Sequence, residues 1–195
     1  MPGAGTTRER LQRCAMTLFT EHGFDGTTVA DIARAAGVSH MTFFRHFPTK
    51  ESVLLDDPYD PAIGAAVAAQ PAHLTPLERV RRGLLAAWSA LPEPADDQTR
   101  ARVAIVAAHA GLRARAWENN QRTEHVVVAA LVDDGVPPLA ARVAAGACLG
   151  ALMAALLDWA EDDVGPGLGA RVRAALDQLA VDRTDVAPAG SEVAP

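Results

Sequence analysis

The sequence predicts an all-α fold of about nine helices, with a small helical unit placed before a larger one. Three observations carry this. Ala and Leu dominate a chain that is 49% hydrophobic but only 5% aromatic, a composition that favours helix. Apolar residues recur three and four apart through most of its 195 residues, the signature of amphipathic helices. No stretch alternates apolar and polar residues, so no sheet is indicated.

The elements follow in order. Thr6-x-x-Glu9 spells a capping box, and Leu11, Cys14, Ala15, Leu18 and Phe19 form the stripe of a first helix that Gly23 ends. Thr27 or Thr28 caps a second helix, with Val29, Ile32, Ala33 and Ala36 on its apolar face. Gly37 supplies a positive φ after that helix. Ser39 caps a third helix, Phe43 and Phe47 point inward from it, and Pro48 stops it. Two short helices joined by the turn Ala33-x-x-x-Gly37 are the pattern of a DNA-binding helix-turn-helix, whose second helix enters the major groove.

A connecting helix starts at Lys50, breaks near Asp57–Asp60 beside Pro58 and Pro61, and resumes over Ile63–Gln70. Helical patterns then cover Pro76–Leu91, Thr99–His109, Leu112–Val132 (after Gly111), Leu139–Glu161, and a last helix from Leu168 to near Ala180. The predicted division is a DNA-binding domain over 1–47, a ligand-binding and dimerisation domain over 48–182, and a flexible tail over 183–195.

The formal charge is −6. Residues 1–55 carry six Lys+Arg against five Asp+Glu, and the acidic excess lies beyond them. The later half would repel phosphates. Cys14 and Cys148 stand far apart outside any Cys-x-x-Cys pattern, which fits reduced thiols. MPGAGTTRER lacks an apolar core, so no signal peptide is expected. The uncharged run Val143–Leu157 is short for a membrane span. A cytoplasmic protein without membrane contact is expected. No His-x-x-x-His, Glu-x-x-His or Gly-x-Ser-x-Gly occurs, so neither an enzyme nor a metal or other cofactor is expected.

The block TTVADIARAAGVS and the run TFFRHFPTKE closely resemble the reader domain of the TetR family of one-component bacterial regulators. The close match covers about Thr7–Leu55. Beyond it the chain resembles the family in helix pattern and length. DDPYDPAIGAAVAAQP and GACLGALMAALLDWAEDD are loosely similar to family members associated with acyl-CoA or similar hydrophobic ligands. The resemblance implies a ligand-responsive DNA-binding regulator, a repressor, with nine helices and a connector joining reader to sensor. It also implies a Tyr where this chain has Phe44, and often another where it has His46. The alternative is a helical interaction module that has lost sequence-specific DNA binding.

Base contacts are expected from the first turns of the recognition helix, at Ser39, His40, Met41 and Thr42. Phosphate contacts are expected from Thr27 or Thr28, Arg45, His46 and Lys50, with Phe44 lacking the hydroxyl of the family's Tyr. The partner is a near-palindromic double-stranded operator.

Val143–Leu157 is apolar nearly all round, so it is buried on more than one side. Gly146 and Gly150 allow close approach of a second subunit, with Met153, Leu157 and, from the last helix, Leu168, Val172 and Leu176 completing a homodimer interface. Asn119 and Thr123 interrupt an apolar stripe. Trp117, Asn120 and Glu124 lie on the stripe beside it, and Trp88, His109 and Met153 are candidate walls of a pocket for a small, mostly apolar ligand.

Overall fold

In the computed structural model, which describes residues 6–55, 60–90, 97–162 and 164–180, every regular element is a helix. The described residues form ten helices, α1 Thr7–His22, α2 Val29–Ala35, α3 His40–His46, α4 Ser52–Leu55, α5 Asp60–Ala68, α6 Pro76–Ser89, α7 Asp97–Ala108, α8 Ala110–Asp133, α9 Pro138–Glu161 and α10 Leu168–Asp177. The expected connector accounts for two of them, α4 and α5. Residues 57–59 of its expected break, and the expected tail, fall outside the described residues. Several boundaries differ from expectation: α5 begins at Asp60 rather than Ile63, α10 ends at Asp177 rather than near Ala180, and α7 and α8 meet elsewhere. Gly111 lies inside α8, and the chain turns at His109, whose extended backbone separates α7 from α8.

Two cores organise the chain. The first gathers Leu11, Ala15 and Phe19 of α1, Phe24, Ile32 of α2, Phe43 and Phe47 around α3, and Val53 and Leu54 of α4. It therefore runs past residue 47. It also takes Leu112 from α8, and Ile105 and Val106 of α7 pack against it. The second core is built round α9, which packs on α6, α7, α8 and α10. Helix α5 lies against α6 and α8. Gly83 permits the α5–α6 approach, because a Cβ there would stand 2.7 Å from the Val67 Cα.

Ion pairs pin the second core at its edges. Arg81 of α6 bonds Glu78 (2.7 Å) and reaches Asp177 of α10 at 2.8 Å. Arg100 of α7 donates to the carbonyls of Trp159 and Asp162, both at 2.7 Å, with its guanidinium over the Trp159 ring. The Arg81 guanidinium, then Arg82, holds the Glu78 carboxyl down at about 2. Burial pushes the Cys148 thiol up to about 12, so it stays protonated and inert. Both cysteines are free.

Helix α9 is two-sided. Ala141, Ala144, Ala145, Cys148, Leu149, Ala155 and Trp159 are buried within the subunit. On the opposite side Leu139 and Val143 are exposed, by 75% and 63%, and a Cβ added at Gly146 or Gly150 would meet nothing within 4 Å. Met153 and Leu157 are half-buried. By length and composition α9 could cross a membrane, but its inner face is occupied by the protein's own helices.

The expected contribution of α10 to a dimer needs correcting. Leu168, Val172 and Leu176 are buried in the second core of one subunit. Their spacing puts them on one stripe, and α9 of the same chain covers it, leaving Ala170, Arg173, Ala174 and Asp177 outside.

Candidate nucleic-acid interface

The helix-turn-helix is fixed by local chemistry. Thr28 caps α2 in a reciprocal box with Asp31. Its hydroxyl accepts from the Asp31 N–H at 3.2 Å, and its own N–H donates to the carboxylate at 3.1 Å. The hydroxyl also donates to the same carboxylate at 2.5 Å. These bonds from Thr28, with Arg34 nearby, hold the Asp31 carboxyl below its usual range. At the other end Gly37 adopts φ 63°. The Val38 N–H donates to the Ala33 carbonyl (3.0 Å) and the Gly37 N–H to the Arg34 carbonyl (3.1 Å), the paired closure of a Schellman turn.

Ser39 caps α3, accepting from the Thr42 N–H at 3.1 Å, and the two hydroxyls lie 2.9 Å apart. Phe43 and Phe47 are fully buried and anchor α3 from below. What remains outside is a row of varied chemistry. His40 and Arg45 are exposed, Met41 is 72% exposed, and Phe44 is 41% exposed. Thr42 and His46 are half-buried. Arg45 donates to the Thr42 hydroxyl at 3.3 Å. An apolar thioether, an imidazole and a guanidinium in solvent on one short helix suit the edges and backbone of a duplex.

Two residues expected at phosphates have partners inside the protein. Thr27 is buried, and its hydroxyl donates to the carbonyls of Gly23 (2.9 Å) and Leu18 (3.2 Å). The residue at the helix start is Thr28. Lys50 turns inward, where its ammonium donates to the carbonyls of Phe24 (2.7 Å) and Thr27 (3.0 Å) and lies 4.1 Å from the centre of the Phe24 ring. Two of its three donors are thereby used in closing the α1–α2 loop.

Arg8, which the sequence leaves as either a solvated charge or part of a phosphate grip, has a structural role. It donates to the His46 carbonyl at 3.0 Å and lies over the Phe47 ring, tying the start of α1 to the end of α3. It stands inside the Thr6–Glu9 capping box, at the second position of α1.

Of the expected ligand residues, Thr123 is buried, and Asn119, Asn120, Glu124, Trp88 and Met153 are half-buried. Two fall elsewhere. Trp117 is 55% exposed on the outer side of α8. His109 belongs to the junction between the cores. Its ring meets Phe24 edge-on at 5.7 Å, its Nε2 lies 3.8 Å from the Asp25 carboxylate, and its Nδ1 lies 2.9 Å from the Ile105 carbonyl. A carbonyl only accepts, so Nδ1 carries the proton there.

Known proteins share this arrangement. Residues 13–56 match the family described as bacterial regulatory proteins, tetR family, and residues 74–183, more than half of the chain, match the MftR C-terminal domain. The chain belongs to the TetR family. The transcriptional regulator TcmR of Streptomyces glaucescens is 45% identical over 74 residues, 37% of this chain and 33% of that protein. Matches to the first curated relatives cover a third or less of their length. The structure of Thermus thermophilus FadR, a TetR-family repressor in complex with lauroyl-CoA, is 26% identical, with 94% of this chain and 100% of that one covered at a TM-score of 0.52. SmeT of Stenotrophomonas maltophilia, in a triclosan complex, shares the fold at 21% identity, with 89% of each chain covered and a TM-score of 0.61. The tetR-family match falls on the first core and the C-terminal-domain match on the second.

Proposed function

We propose that this chain is a cytoplasmic, non-catalytic transcriptional repressor that binds a near-palindromic operator as a homodimer and leaves it when a small, mostly apolar ligand binds. The observation that carries the reading is α3 itself. Two buried phenylalanines hold it while His40, Met41, Phe44 and Arg45 face solvent. Thr28, Ser39, Thr42, Arg45 and His46 are the supporting contacts to bases and phosphates.

The outer stripe of α9, Leu139, Val143, Gly146, Gly150, Met153 and Leu157, is the surface for a second subunit. An apolar stripe with open space above two glycines lets two such helices pack closely. Two readers then bind two half-sites at a spacing set by the dimer.

The ligand belongs against the inner side of α8, where Asn119 and Thr123 interrupt an apolar stripe. An acyl-CoA thioester is the first class to test, from the likeness to FadR. Helix α8 offers a route to the reader, since Leu112 near its start sits in the first core and Val127 and Leu131 in the second. A ligand that favours one position of α8 shifts the reader by its differential affinity for the two states.

The test is a mobility shift of the purified protein on DNA flanking its own gene, across a salt series with unrelated competitor DNA. A specific, salt-sensitive shift that lauroyl-CoA reverses is expected. Equal binding to operator and competitor would contradict DNA reading, and a shift that no acyl-CoA chain length reverses would contradict the ligand class.

A further inference from the structure

Four aromatic rings form a line from the first core to the reading surface. Phe47 and Phe43 are fully buried and 5.8 Å apart. Phe43 meets Phe44 edge-to-face at 5.5 Å and 85°. Phe44 meets His40 edge-to-face at 4.8 Å and 79°. His40 and Phe44 stand one turn apart on α3, the spacing at which helical side chains touch, and the edge-to-face form is the one aromatic rings prefer.

The imidazole has little else to hold it. His40 is exposed, and no hydrogen bond from the described residues reaches its ring. Both nitrogens are therefore free for a base edge, one as donor and one as acceptor when neutral. A side chain at the first position of a helix, without a partner, samples several rotamers. Each must be frozen before a base can be read. The Phe44 ring removes that freedom in advance, because Phe43 holds it in turn.

We propose that Phe44 is a positioning residue for base readout. It fixes the His40 imidazole in one orientation and so sharpens the preference for one base pair in each half-site. The inference rests on the DNA-reading assignment above. It gives Phe44 a role that needs no hydroxyl, in a place where the family's usual Tyr would offer one.

The experiment is a selection from random duplexes with the full-length protein, followed by competition binding with every base at each position. Wild type, His40→Ala, Phe44→Leu, Phe44→Tyr and the His40→Ala/Phe44→Leu pair are compared, with thermal melts of each. His40→Ala should flatten preference at one base pair by about tenfold, the scale of one specific contact. Phe44→Leu should flatten the same base pair, Phe44→Tyr should keep it, and the double variant should resemble His40→Ala alone. Phe44→Met replaces Phe44→Leu if the latter melts early. A Phe44→Leu or Phe44→Met protein that binds all duplexes more weakly but keeps its preference overturns the inference alone. A wild-type protein that selects no sequence overturns the DNA-reading assignment, and the inference with it.

Discussion

The two cores of this chain use different chemistry. The reader core is aromatic, with Phe19, Phe24, Phe43 and Phe47 in a small volume, and its turns are closed by specific caps at Thr6, Thr28 and Ser39. The sensor core is mostly aliphatic, with Ala141, Ala144, Ala145 and Ala155 on one side of α9. A surface that must present a few side chains to DNA needs rigid, individually determined positions. Small side chains along α9 instead let whole helices pack closely, so positions there are set by helix against helix.

Leu176→Ala should cost about 2–5 kcal/mol, as a buried leucine does, while Val143→Asp should leave the subunit's stability within about 0.5 kcal/mol and dissociate the dimer. Chemical denaturation and sedimentation velocity measure the two effects. The opposite pattern would return α10's stripe to the dimer interface.

Lys50→Met sharpens the reader side. Losing a charged donor to two loop carbonyls should cost about 1.5–3 kcal/mol and leave the salt slope of DNA binding almost unchanged. If the slope instead fell by about one at full stability, Lys50 would be a phosphate contact. Thr28→Ala should cost about 1 kcal/mol through the lost cap. Thermal melts of the two reader variants should fall in that order.

The smallest effect is in acid. Glu78 is held at about 2 from an ordinary 4.5 by Arg81 and Arg82. Its folded value is depressed, so its stabilisation is present above pH 4.5 and is lost as pH falls towards 2. Between those values wild type should lose more stability than Glu78→Gln, read from urea midpoints. Equal losses would remove Glu78 from the α6–α10 link.

How much was legible in the sequence follows the same contrast. Thr6, Gly23, Gly37, Ser39, Phe43 and Phe47 each have one physical job, and the residue type states it. The sensor's helices were legible from their spacing, but not which neighbour covers each face. Leu168, Val172 and Leu176 show that an apolar stripe says only that it is covered. Lys50 and Thr27 meet carbonyls where phosphates were expected, because a cation and a hydroxyl serve both. His109 was expected at a pocket wall, but Phe24 and Asp25, more than eighty residues away in sequence, also lie beside its ring.

Helix α3, carried twice on a symmetric dimer, is proposed to read DNA sequence. Selection from a random duplex library with the purified full-length protein tests it most directly. The account predicts one enriched near-palindrome with two half-sites at a fixed spacing, lost when His40 and Met41 are both changed to Ala. An unenriched library, or an unrepeated half-site bound by a single subunit, would contradict it.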